Sequence, residues 1–221
     1  MSQVNRTALV LGANGLIGGF VVDFLLKNAA YQTVYALSRK GIVNENPKLI
    51  QIMTDADNVE EKIKDIAVND FFSCIGTTQA KTRDKHEYYR IDHDYPIHVA
   101  HILKEKGCEQ ACLVSSIGAN ADSKNFYLKL KGETERSFID VGFKSLHIFQ
   151  PSLLIGKRTE QRYMEYIAQK LSPLLDMLLF GRLKNFQSIP AETVAKAMVD
   201  TALTGKLNVN IYKTKEIKDL V

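Results

Sequence analysis

Three glycines at 12, 15 and 18, set between an apolar run and a helical pattern, constrain this chain more than any other feature in it. Residues 7–11 (TALVL) have the length and composition of a buried strand, and the run stops at Gly12. Leu16, Phe20 and Phe24 then recur on one face with Ile17, Val21 and Leu25 beside them, which predicts a helix over 15–28. Gly12 and Gly15 permit backbone angles closed to other residues and keep side chains away from where a diphosphate must approach; Gly18 lets the helix pack close to the strand. The opening of the helix offers free N–H groups and a partial positive charge to phosphate oxygens. Gly12, Ala13, Asn14, Gly15, Leu16, Ile17 and Gly18 are therefore expected to cradle a dinucleotide. The strand before them and the helix after them separate this turn from a chance glycine triplet.

The alternation continues along the chain. Strands are expected at 33–37, Leu49–Met53, 70–75, 111–115 and 145–149, and helices at 58–67, 88–106 and 126–141, with Gly107 and Gly142 as stops. Strands that alternate with helices imply a parallel sheet covered on both faces, joined by right-handed crossovers. The fold class is then α/β, a doubly wound parallel sheet of the Rossmann type, with ligands above the carboxyl ends of the strands. After Pro151 the pattern shifts to helices at 160–180 and 191–203 and a late strand at 208–212. Residues 1–221 are expected to form one domain, with 152–221 adding a small, mostly helical substrate-side cover. The apolar stretch 171–180 suits core packing or a lid. Interrupted by Ser172, Pro173 and Asp176, it falls far short of the ~20 residues of a membrane span.

Charge and cysteine usage exclude several classes. A net charge of +4 is mild, and the basic residues of 124–136 (Lys124, Lys129, Lys131, Arg136) are interleaved with Glu133 and Glu135, which reads as a solvated helix face and not a nucleic-acid surface. The three cysteines, Cys74, Cys108 and Cys112, form no CxxC, so neither a disulfide framework nor a zinc site is expected. No metal site is expected from His98 and His101 either, which lack a supporting carboxylate pattern. Asp92-His93-Asp94 looks like a triad fragment, but sequence neighbours on a helix point in different directions. Without a secretory signal pattern, the expected location is cytoplasmic.

The end of the second strand bears on nucleotide choice. NAD sites usually place a carboxylate there for the ribose hydroxyls. This chain has Ser38-Arg39-Lys40, and a guanidinium forms charge-assisted hydrogen bonds with a 2′-phosphate that a carboxylate would repel. The expected cofactor is NADP(H). Asp55, after the third strand, either touches the adenine amino group or shapes a turn ahead of the next helix. Cys74, Ile75, Gly76 and Thr77 close the fourth strand, where Gly76 lets the backbone lie beside the adenosine ribose.

A catalytic constellation follows. Ser115 and Ser116 end the fifth strand, and Tyr127 and Lys131, four apart, share one face of the next helix. A free tyrosine titrates near 10, and a neighbouring ammonium favours its phenolate. Such a phenol is suited to pass a proton to or from a substrate oxygen, with Ser116 orienting that oxygen and a nicotinamide supplying the hydride.

Together these residues resemble the short-chain dehydrogenase/reductase superfamily, and more closely its atypical NAD(P)-binding branch that includes the Tat-interacting oxidoreductase-like proteins. The stretches that bear the resemblance are CIGTTQAK at 74–81, YRIDHDYP at 89–96, SSIGAN at 115–120, NFYLKLKGETE at 125–135 and FQPSLLIGKR at 149–158. The resemblance implies an NADPH-binding Rossmann fold and a catalytic set of Tyr127, Lys131 and Ser116, with Ser115 as the adjacent alternative. It also implies that Pro151 and Leu154 border the nicotinamide. Asn14 departs from the Thr or Ser more usual in the turn. The implied activity is NADPH-dependent reduction of an unnamed small carbonyl compound. An NADPH-sensing protein with little catalysis is the rival, and a homodimer or a protein partner is a further option.

Overall fold

A computed structural model describes residues 5–77, 82, 84–156 and 187–221. Seven strands form one parallel sheet: β1 (Arg6–Leu11), β2 (Tyr31–Ser38), β3 (Leu49–Met53), β4 (Asp70–Ser73), β5 (Gln110–Val114), β6 (Ser145–Gln150) and β9 (Asn208–Lys213), in the spatial order β3-β2-β1-β4-β5-β6-β9. Every pairing is parallel. The order reverses between β1 and β4, which opens a crevice above their carboxyl ends, the place where ligands sit in such sheets. The doubly wound fold expected from the sequence is the one observed.

Side-chain alternation explains the two covered faces. Ala8 and Val10 of β1 point one way and Leu9 and Leu11 the other, as strand geometry requires. The first pair packs under α1 (Leu16–Lys27) and α6 (Ala191–Ala202). The second packs under α2 (Val59–Ile63), α4 (Tyr95–Glu105) and α5 (Phe126–Val141). The central strand β1 is accordingly apolar and buried on both faces from Ala8 to Leu11.

Several boundaries differ from the sequence reading. The helix expected over 58–67 is the five-residue α2. β4 ends at Ser73, two residues early, although the Cys74 amide still donates to the Leu11 carbonyl. The long helix begins earlier, as α3 (Lys85–Tyr89), and passes through a π-helical turn, Arg90–Asp94, before α4. Its start is set by Asp84, whose carboxylate accepts from the His86 amide. Gly107 (φ +89°) and Gly142 (φ +76°) both take the left-handed conformation expected of helix stops.

The described part of the tail contributes to the core and the sheet. A two-stranded ladder joins β7 (Leu154–Ile155) to β8 (Ile189–Pro190), α6 lies in the core beside α1, and β9 is the seventh strand of the main sheet, followed by α7 (Thr214–Asp219). That part of 152–221 therefore builds the sheet itself. The expected helix over 160–180 lies outside the described residues.

Candidate functional site

In a parallel sheet all carboxyl ends lie on one side, so the ends of β1, β2, β4, β5 and β6 bring Gly12, Ser38, Cys74, Ser115 and Pro151 to a single rim. The glycine turn occupies the crevice. Gly12 has φ +83°, and a Cβ on it would lie 2.8 Å from the Ile75 nitrogen. A Cβ on Gly18 would lie 2.2 Å from the Gly12 carbonyl oxygen, an impossible contact. These glycines thus seat α1 against β1 and β4 at a distance no other residue permits. Gly15 is the exposed N-cap of α1; no side chain caps the helix, and its first turn holds no acidic residue. Those amides and their dipole face outward, available to an anion.

Asn14, the departure in the turn, has a definite partner. Its side-chain amide donates to the Lys40 carbonyl at 2.9 Å and lies 3.4 Å from the Gly41 carbonyl, while the Ser38 hydroxyl donates to the same Lys40 oxygen at 2.7 Å. The loop bearing Arg39 and Lys40 is thereby fastened beside the glycine turn. Arg39 is exposed. It adds its charge to that of Arg90 in holding the Glu87 carboxyl below its usual range. Asp55 shapes a turn. Its Oδ1 accepts from the Asp57 and Asn58 amides and from the Asn58 side chain, ahead of α2.

At the other end of the rim, Asn125 caps α5 by accepting from the Leu128 amide at 3.1 Å, which starts the helix that presents Tyr127 and Lys131. Tyr127 is 39% exposed and Lys131 only 6%, with the ammonium 6.0 Å from the Tyr127 ring centroid. Ser115 and Ser116 part company. The Ser115 hydroxyl is buried and donates to Glu135, which also accepts two contacts from Gln150 at 2.9 and 3.1 Å. That trio ties α5 to the ends of β5 and β6, and burial raises the Glu135 carboxyl above its ordinary range. Ser116 is half-buried, its hydroxyl making a long 3.4 Å contact to the Ile117 carbonyl. Pro151 is buried and its carbonyl accepts from the Ile117 amide; Leu154 begins β7, and the following Gly156 sits against the Leu16 side chain at the start of α1.

Sequence reasoning missed two participants, Asp92 and Glu135. Asp92 is buried in the π-helical turn, and its Oδ2 accepts from Lys131 Nζ at 2.9 Å while its Oδ1 accepts from the Thr77 amide at 2.6 Å. The π-turn itself was the feature that mattered, since such turns re-aim side chains where function needs them. No group of three or more metal-binding side chains occurs among the described residues.

Residues 8–137 match the model of the NAD dependent epimerase/dehydratase family. The chain belongs to that family. Within it, the chain is 32% identical to the protein FMP52, mitochondrial, of Saccharomyces cerevisiae, over 96% of this chain and 95% of that one. It is 28% identical to the protein HTATIP2 of Rattus norvegicus, over 98% and 89%. The atypical short-chain dehydrogenase/reductase resemblance is thus the right one. Among solved structures, the fold is like that of the Helicobacter pylori ADP-L-glycero-D-manno-heptose-6-epimerase, with a TM-score of 0.71, 13% identity and coverage of 99% of this chain and 81% of that one. It is likewise similar to the Bacillus cereus UDP-glucuronic acid 4-epimerase in complex with NAD, with a TM-score of 0.69, 17% identity and coverage of 96% and 80%. The family is one of NAD(P) binders, and the uncapped α1 terminus and side-chain-free turn at Gly12 and Gly18 fit such a group.

Proposed function

We propose that the chain is an NADP(H)-dependent oxidoreductase acting on a small carbonyl compound. The observation that supports it most is the paired placement of an anion-ready α1 terminus and the exposed Arg39, fastened side by side through Asn14 and Ser38. In this reading the amides of Asn14, Leu16, Ile17 and Gly18 bind the diphosphate, those of Ala13 and Gly15 being donated to the Leu37 and Gly12 carbonyls, and Arg39 with Lys40 binds the 2′-phosphate. Asp55, committed to its turn, contributes to shape more than to adenine contact. Cys74, Ile75, Gly76 and Thr77 floor the ribose side, and Pro151 and Leu154 border the nicotinamide.

A bound nicotinamide supplies the hydride. Tyr127, half open to the rim, transfers a proton between its phenol oxygen and the substrate oxygen. The Lys131 ammonium over its ring favours negative charge on that oxygen during transfer. Ser116, whose hydroxyl has no strong partner among the described residues, orients the substrate oxygen; Ser115, spent on Glu135, holds the strand ends in place.

Calorimetry with NADPH and NADH tests the nucleotide assignment. NADPH binds more tightly, and Arg39→Ala removes most of the preference; an unchanged ratio refutes the 2′-phosphate contact. Tyr127→Phe abolishes NADPH oxidation on a carbonyl panel while sparing nucleotide affinity. A wild type that binds NADPH yet oxidises none of it across the panel would instead favour a nucleotide-sensing role. No described helix is long and apolar enough to cross a membrane. Three free thiols suit a reducing compartment, and the FMP52 relatives are named as mitochondrial. A fluorescent fusion distinguishes cytoplasmic from mitochondrial residence.

A further inference from the structure

We infer that Asp92 is a positioning residue that sets the Lys131 ammonium against the Gly76–Thr77 turn, so that one carboxylate locks the acid–base helix to the ribose-side floor. The inference rests on the functional reading above. Its geometric basis is that each oxygen of Asp92 serves a different segment: Oδ2 takes Lys131 from α5, and Oδ1 takes the Thr77 amide after β4. The Asp92 side chain is fully buried and that of Lys131 is 8% exposed, so neither contact is diluted by water. Gly76 lies directly over the pair: a Cβ there would sit 3.6 Å from Asp92 Oδ2 and 3.7 Å from Lys131 Nζ. The Thr134 hydroxyl lies 3.3 Å from the Asp92 carbonyl, and the Tyr88 hydroxyl donates to the Thr77 carbonyl, bracing both sides.

Electrostatics agree with the geometry. Burial alone pushes a lysine down, because it penalises the ammonium. The groups facing Lys131 are Asp92 from the π-turn and Tyr127 and Glu135 from its own helix, and their combined pull leaves Lys131 above its ordinary range. Asp92 is the nearest of these and the one that is hydrogen-bonded to it. An asparagine at 92 retains the shape but has one acceptor for two donors, so either the Thr77 amide or the ammonium goes unpaired.

The test is a pH titration of Lys131 by NMR on selectively labelled full-length protein, alongside NADPH calorimetry on Asp92→Asn, Lys131→Met and the double variant. In the wild type the Lys131 signal titrates above the ordinary lysine range. In Asp92→Asn it titrates lower than in the wild type, and Asp92→Glu restores part of the difference. Asp92→Asn weakens NADPH about tenfold, the loss expected for a charge-assisted hydrogen bond, and costs almost nothing further once Lys131 is methionine. An unchanged Lys131 titration in a folded Asp92→Asn protein overturns the inference. A wild type with the expected Lys131 titration but no affinity for NADPH refutes the nucleotide reading and leaves the Asp92–Lys131 lock standing.

Discussion

At the scale of single residues, the strongest constraint is steric. A methyl group on Gly18 would overlap the Gly12 carbonyl, and relieving that overlap means lifting α1 off the sheet. Gly18→Ala is expected to cost roughly 2–3 kcal/mol, the range for overpacking a tight contact, and to lose nucleotide affinity; urea unfolding and calorimetry read both. A variant as stable and as competent as wild type would contradict the close-packing role. Gly12 and Gly18 were legible in the sequence as positions where a side chain does not fit, whereas Gly15, at φ −74°, takes a backbone angle open to other residues; Arg39, Tyr127 and Lys131 were offered as candidates by local patterns. Asp92 was visible but discounted. Its partner is 39 positions away, and only the π-turn decides that it faces Lys131 and not solvent. Glu135 was hidden for the same reason, as its meaning comes from Ser115 and Gln150 on two other strands. Ser116 was preferred to Ser115 for the catalytic set, and burial of Ser115 against Glu135 separates the two in the structure.

At the scale of elements, caps matter most where they carry the site. Asn125 is the N-cap of α5, two residues before Tyr127. Asn125→Ala is expected to lower stability by about 1 kcal/mol and to fray the turn that holds the phenol, so kcat falls while NADPH affinity stays near that of wild type. A loss of NADPH affinity with unchanged turnover would show that the cap serves the nucleotide end instead. Period and the glycine stop gave α5 its full extent at 126–141, although its inward face mixes the apolar Leu130, Phe138 and Val141 with the buried polar Lys131, Thr134 and Glu135. The helix over 88–106 was read with the right end and the wrong beginning. The capping Asp84 belongs to a polar stretch where spacing gives no signal, and a π-turn leaves no distinct period behind it.

At the scale of the whole molecule, β9 closes the sheet through a buried polar link. His147 of β6 contacts Ser145 at 2.9 Å through Nε2 and the Tyr212 hydroxyl at 3.2 Å through Nδ1, and Ser145 donates to the Lys206 carbonyl. Burial, with Lys206 nearby, pushes His147 down to about 4. The unfolded chain takes up a proton on this residue as pH falls below its ordinary 6.5, and the folded one does not until near 4. Stability from this residue is therefore full above pH 6.5 and drains away as pH falls through that window, by at most about 3.4 kcal/mol. His147→Gln keeps both contacts possible and removes the titration, so its urea midpoint declines less than that of wild type between pH 7 and pH 4.5. Parallel declines would place the acid sensitivity elsewhere. The parallel, doubly wound character of the sheet followed from strand–helix alternation, whereas its strand order and the role of the tail did not. The strand at 208–212 and the helix at 191–203 were both found, but nothing local says that they return to the first helix and the far edge of the sheet.

The central claim is that the amides opening α1 hold a dinucleotide's diphosphate. Amide hydrogen exchange with and without saturating NADPH reads those amides one by one. Slowed exchange concentrated at residues 14–18, with a second protected segment at 38–41, is the outcome this account predicts. Unchanged exchange at 14–18 in folded protein that demonstrably binds NADPH would contradict it.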